Sequence, residues 1–407
     1  MDASQNAAKN RNLTLFLAAN ALMGVITAVE NTSFSSRLYD GLGFDILQRS
    51  VVEVPREMPG LLTALMIALL FRLDSTKIAG ISCMLAGIGI FIFGFIPSQF
   101  FIVIAIIVLF STGQHLYIPV LGNISMSFSD GKGVGSQLGK VQGLNTLALI
   151  VSCGLFYALY ALFDVPYYVI FGMGGICGIA AGILFFKMEP IQKKMQKTRF
   201  IFKKKYSLYY ILAIVNGARK QLTLTFVPWV ILNVFNKGVT TVTLLYMAVS
   251  AANVFFRPYM GKLIDKWGEK KVLTIEAIAL LMVCLALAFA KRFFPEDIAF
   301  IIACACYIID QLLVTANMAR TTLAYHMVDD ESEISGTLAM GSSMDHVMSV
   351  TMPVIAGYIW YANGANGYVY VFYGGAIISL INLFLAFRVK VSKKIPKSEE
   401  PLETAIA

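Results

Sequence analysis

About twelve apolar stretches of bilayer-spanning length follow one another along this 407-residue chain, parted by short polar turns. Crossing the hydrocarbon core takes roughly 20 apolar residues per helix. Backbone polar groups in lipid must be satisfied internally, which leaves helices or closed barrels. The runs are too long for barrel strands and lack their period-2 alternation. Hydrophobic residues make up 57% of the chain and charged residues 14%, against roughly 25% charged in soluble domains. The chain therefore reads as an all-α polytopic membrane protein. Its spans are expected near 13–34, 47–71, 77–96, 99–122, 136–162 and 166–187, then near 207–234, 240–260, 271–291, 298–322, 335–361 and 367–388.

This spacing divides the chain into an N-terminal six-helix bundle (1–187), a basic linker (188–206), a C-terminal six-helix bundle (207–390) and a tail (391–407). The linker gathers Lys193, Lys194, Lys197, Arg199, Lys203, Lys204 and Lys205. Placing both termini and this linker in the cytoplasm leaves only Arg37, Arg49, Lys237, Lys291 and Arg292 outside, as the positive-inside rule requires. The net charge of +9 then reflects topology and calls for no nucleic-acid partner. Residues 1–11 are short and polar, so the first span is expected to serve as an uncleaved insertion signal. Short loops point to a bacterial cytoplasmic (inner) membrane. Cys83, Cys153, Cys177, Cys284, Cys304 and Cys306 fall inside spans and read as reduced packing residues. Cys304 and Cys306 lie about 200° apart on a helix and cannot share a metal from one face. No metal or cofactor is expected.

Between the eighth and ninth spans the chain reads Gly261-Lys-Leu-Ile-Asp265-Lys-Trp-Gly268-Glu-Lys-Lys271. In a chain of twelve apolar segments this resembles the loop motif of the major facilitator superfamily, G-x-L-x-D-x-x-G-x-K/R-K/R. After the second span the matching loop, Phe71-Arg72-Leu-Asp74-Ser-Thr-Lys77, lacks both glycines and keeps only Asp74 and its flanking charges. The resemblance implies a secondary transporter working by alternating access, with its substrate site between the halves near the bilayer midplane. It also implies a gating group: Gly261, Asp265, Gly268 and Lys271, with Asp74 as remnant and Arg257 at a helix end. Asp265 would then sit near the helix start at 335–336, where negative charge is favoured. A weak internal repeat agrees with two halves. Gly113-Gln114 aligns with Asp310-Gln311, and Asn145-Thr146 with Asp345-His346, at an offset of about 200 residues. Gly174, Gly178 and Gly182 recur every four residues, a spacing that lets helices pack closely.

Charges interrupt the apolar runs. Each one at the centre of a span costs roughly 2.5–3.5 kcal/mol, so these must face the interior, pair or titrate. At about 1.5 Å per residue, Arg219 and Asp310 lie roughly 18 Å from their span ends and Asp345 roughly 15 Å, near the middle of a core about 30 Å thick. Arg56 lands there too. Arg219, Lys220 and Arg56 are the candidate anion contacts, since a guanidinium can grip a carboxylate or phosphate with two parallel hydrogen bonds. Gln114, His115, Tyr117, Asn145, Asn253 and Gln311 are the expected polar lining. Asp310, Asp345, His346 and Glu30 are the candidate proton carriers, because burial favours a neutral carboxyl and a nearby cation a charged one. Glu53 and Glu57 stand nearer the outer side, and Glu53, Arg56 and Glu57 are spaced as an i,i+3 and i,i+4 charge set built on Glu53. Trp229, toward the outer end of its span, is expected at the membrane interface.

No nucleophile elbow or His-Glu-x-x-His stretch is present, so the residues do not suggest an enzyme. The expected function is transport of a small polar or anionic organic solute, coupled to H⁺ and carried out by a monomer. The alternative is drug/proton antiport, although the fifth span lacks the Gly-Pro-rich signature that many such exporters of the superfamily carry.

Overall fold

The computed structural model describes residues 3–70, 72–128, 134–191, 201–328, 330 and 333–389, and among these it is helical throughout, with no strand. The helices are α1 (Ala3–Ser36), α2 (Ile46–Val51), α3 (Glu53–Leu69), α4 (Ser75–Phe95), α5 (Phe100–Ser127), α6 (Val134–Phe163) and α7 (Tyr167–Phe186). After the linker come α8 (Ser207–Trp229), α9 (Val239–Phe293), α10 (Glu296–Leu313), α11 (Asn317–Met327), α12 (Ile334–Ala362) and α13 (Gly367–Phe387). Eight stretches of described chain have the length and hydropathy of a membrane span, the 55-residue α9 among them. Reaching the twelve expected from the sequence requires counting α9 as two spans and adding α3, α8 and α12. Those last three helices carry Glu53, Arg56, Glu57, Arg219, Lys220, Asp345 and His346.

Local chemistry explains where the helices depart from expectation. The second span breaks at Val52 into α2 and α3. Pro55 has no N–H to offer the carbonyl four residues back, which ends the first helix there. Asp45 opens α2 with a reciprocal cap: its side chain accepts from Gln48 N at 2.7 Å, and its own N–H donates to Gln48 Oε1 at 3.1 Å. Asp74 caps α4, accepting from Lys77 N at 3.0 Å. The stretch expected as a loop at 261–271 is instead helical on both sides of one residue, Gly268 (φ 76°, ψ 162°). Glycine takes positive φ at no steric cost, so α9 turns from one span to the next within a single residue.

Helices α1, α4, α5, α6 and α7 pack on one another, as do α8, α9, α10, α12 and α13. Two glycines of the four-residue repeat in α7 press on α4, where a Cβ at Gly178 would lie 2.5 Å from Gly87 Cα and one at Gly182 2.6 Å from Met84 Cγ, while Gly174 meets Val29 of α1. Large apolar side chains such as Leu69, Phe101, Leu162 and Phe255 are exposed, as a lipid-facing belt requires. The two sets of helices meet firmly at the end remote from the chain termini. Trp229 is buried there, edge-on to Tyr39 with ring centres 5.0 Å apart, so it seals the joint between halves and is not the interfacial anchor expected. Asn233 donates to Tyr39 OH at 3.2 Å, and α12 passes Ser50 of α2 at Gly357.

Candidate functional site

Two charge networks occupy the middle of the molecule. In the first, Arg56 of α3 donates to Glu53 Oε2 at 2.8 Å and to Glu30 Oε1 of α1 at 3.2 Å. Gln114 of α5 donates to the other oxygen of Glu30, and Arg49 of α2 pairs with Glu53. Arg49, Arg56, Glu30 and Glu53 balance in charge, which lets groups as buried as Glu53 remain inside. Phe34 lies beneath Arg56, its ring centre 5.5 Å from the guanidinium carbon. The network reaches the other half: Gln221 Nε2 of α8 donates to Glu53 Oε2 at 2.9 Å.

In the second network, Arg219 and Lys220 point to different helices, as adjacent residues about 100° apart must. Arg219 pairs with Asp310 of α10, both almost fully buried. Gln311 also donates to Asp310, at 3.3 Å. Lys220 reaches Asp345 Oδ2 of α12 at 2.6 Å, and Asn216 Nδ2 lies 3.4 Å from Oδ1 of the same carboxylate. The Lys220–Asp345 pair is partly open, with 23% and 18% of the two side chains exposed.

Two adjoining cavities lie on the side of these networks nearer the termini. One, of about 330 Å³, is walled by α8, α11 and α12 and lined by Arg219, Lys220 and Asp345 together with Asn216, Tyr209 and Ser342. The other, of about 790 Å³, separates α6 from α9 and α10, and Gln142, Tyr246, Ser250, Asn253, Arg257 and Gln311 line it. Val314, Asn317 and Thr321 belong to both walls. Asn253 Oδ1 is buried there without a hydrogen-bond partner. Arg257 is exposed and has no ion-pair partner among the described residues.

The residues singled out in the sequence thus separate into groups. Arg219, Lys220, Asp345, Asn253, Gln311 and Arg257 reach the cavities, whereas Asp310 lies behind Arg219. Arg56, Gln114 and Glu30 are tied up in the first network. Tyr117 donates to Asn20 Oδ1 at 3.2 Å and Asn145 to the Asn20 carbonyl at 2.8 Å, so both join α1 to its neighbours and line neither cavity. His115 and His346 face each other across the halves, ring centres 5.6 Å apart.

In the motif, Asp265 is exposed and has no ion-pair partner among the described residues, and Lys271 lies over the Trp267 ring at 4.9 Å. Two acids of α9 to which the sequence reading gave no role, Glu269 inside the motif and Glu276 beyond it, tie this helix to α11. Glu269 lies 2.8 Å from His326, and buried Glu276 lies 2.7 Å from buried Arg320. Glu276 stands alone in an otherwise apolar run, which was its visible signal. Gln221 carried none, because an uncharged side chain in a span is common.

Charged groups enclosed by apolar helices, with one cavity inside the C-terminal half and a larger one between the halves, fit an integral membrane protein of the transporter class. The chain belongs to the Major Facilitator Superfamily, whose sequence profile matches residues 58–337 and 210–406. A variant of the nucleoside transporter NupG superposes with a TM-score of 0.78 at 13% identity, covering 92% of this chain and 99% of that one. An inward-facing bacterial homologue of the human lysosomal transporter Spinster gives 0.71 at 13% identity, covering 94% and 97%. The xylose transporter XylE from E. coli gives 0.65 at 12%, covering 94% and 98%. At such identities these likenesses show a shared fold. No curated protein sequence matches the chain.

Proposed function

We propose that this chain is a secondary active transporter that moves a small polar or anionic organic solute by alternating access, coupled to H⁺. The observation that carries the reading is the partly open Lys220–Asp345 pair on a cavity wall beside Arg219. An anionic group entering the cavity competes with Asp345 for Lys220. A carboxylate that loses its cation in a poorly solvated site takes up a proton more readily, so solute and proton load together. Arg219 holds its charge in place through Asp310 and adds to the positive field. Arg257, exposed on the wall of the larger cavity, offers an approach to the same charge. The joint sealed by Tyr39 and Trp229, with cavities on the other side of the networks, fits one of two access states.

Drug/proton antiport is less well supported, because both acids at the second network are already matched by cations. The transporter is proposed to act as a monomer in a bacterial inner membrane. A thermal-shift screen of the purified protein against organic anions, amino acids, nucleosides, sugars and cationic amphiphiles tests the reading, since a ligand of the native state raises its melting temperature. Stabilisation by carboxylate- or phosphate-bearing solutes, weakened in Lys220→Ala, is expected. Stabilisation confined to cationic amphiphiles would reverse the assignment.

A further inference from the structure

The chain has three histidines, and two of them, from opposite halves, meet beside one carboxylate. Glu57 is on α3, His115 on α5 and His346 on α12. One ligand atom from each lies within 4.8 Å of those from the other two. Nδ1 of His346 is 3.4 Å from Glu57 Oε2, outside hydrogen-bond geometry, and this buried nitrogen has no hydrogen-bond partner. His115 engages Ser111 through Nδ1 alone, at 3.0 Å from its hydroxyl and 3.0 Å from its carbonyl oxygen. Its Nε2 is turned toward Gly60, one turn along α3 from Glu57. A Cβ at Gly60 would lie 2.7 Å from His115 Nε2 and 2.7 Å from His346 Cε1, so the bare glycine gives both rings their space.

We propose that Glu57, His115 and His346 form a binding site for a divalent late transition metal, with Zn²⁺ as its type, that bridges the two halves of the transporter. Two imidazoles and one carboxylate are a ligand set such ions favour, with a fourth position left to water. Bonds of about 2.0–2.1 Å to a tetrahedral ion place neighbouring donors about 3.3 Å apart. The Glu57–His346 edge, at 3.4 Å, already has that length, and the two edges to His115 are no longer than 4.8 Å. The Ser111 contact to His115 Nδ1 selects the tautomer that leaves Nε2 free for an ion. All three side chains are partly exposed. No sequence spacing announces the site, because it exists only where α12 packs against α3. An ion held there joins α12 to α3 and α5 and favours the access state in which they touch.

The test is calorimetric titration of Zn²⁺ into full-length protein purified without a polyhistidine tag, with Co²⁺ absorption as a second probe. These read binding without transport, so the site stands or falls apart from the proposed solute. One ion per chain is expected, with visible Co²⁺ bands of a four-coordinate centre. His115→Ala and His346→Ala should each weaken binding at least tenfold, and so should Gly60→Ala, which keeps every ligand but crowds the rings. Wild-type protein that takes up no Zn²⁺ at millimolar concentration would overturn the site. So would Co²⁺ bands that persist unchanged in both histidine variants.

Discussion

Neighbouring cations at 219 and 220 are held differently because a helix turns about 100° per residue. Arg219 is locked to Asp310 with both side chains almost wholly buried, whereas Lys220 and Asp345 are partly open to the cavity. Removing one partner of a buried pair strands the other charge, at a cost of about 3–5 kcal/mol. Asp310→Asn should therefore lower the melting temperature sharply, and Arg219→Met combined with Asp310→Leu should recover most of the loss. Equal melting of Asp310→Asn and wild type would show that the pair is not structural. Asp74 makes a smaller contribution that depends on pH. Partial burial works against its charge, yet hydrogen bonds from Thr76 and Lys77 hold its carboxyl below the usual carboxylate range. A lowered folded value means stabilisation that is present above the unfolded value of about 4 and lost as pH falls through the lower folded value. Asp74→Ala should cost about 1 kcal/mol at neutral pH, and the gap in melting temperature should close in acid. Charged residues inside apolar runs were legible as interior groups, since lipid offers them no alternative. Which cation would meet which acid was not legible, because partner choice depends on helix rotation that depth counting does not supply.

At the scale of elements, the turn in α9 was visible in the sequence as a motif but not as a shape. Two glycines and a basic cluster suggested a loop. Only the backbone shows that Gly268 alone makes the turn while helix continues on either side. The acids that fasten this corner to α11, Glu269 and Glu276, lay in plain view but gave no hint of their partners. We propose, from the loop motif, a gating role for Asp265, whose carboxylate is exposed. Asp265→Asn is expected to slow transport and shift the accessibility of the two faces while leaving melting nearly unchanged. Wild-type flux together with wild-type cysteine accessibility on both faces would strip the motif of that role. The interruption of the second span was foreseeable at Pro55, and α3 shows why it matters. The break sets Arg49 and Arg56 on either side of Glu53.

At the scale of the whole molecule, the all-helical membrane fold was readable because hydropathy and length leave such a chain few options. The joint between halves was not, since Trp229, Tyr39, Gln221 and Glu53 find one another only after the bundles meet. The basic linker lies largely outside the described residues, and its side of the membrane is a proposal with a direct check. On a cysteine-free background, Met195→Cys should react with an impermeant maleimide only after the cells are opened; labelling of intact cells would invert the topology. The central claim is that solute and proton load together at Lys220 and Asp345. The most direct measurement is uptake of a stabilising solute into proteoliposomes under an imposed pH gradient, with counterflow exchange as control. Wild-type protein should accumulate the solute above its outside concentration, and Asp345→Asn should still exchange it but fail to accumulate it. Gradient-driven accumulation that survives in Asp345→Asn would contradict the account.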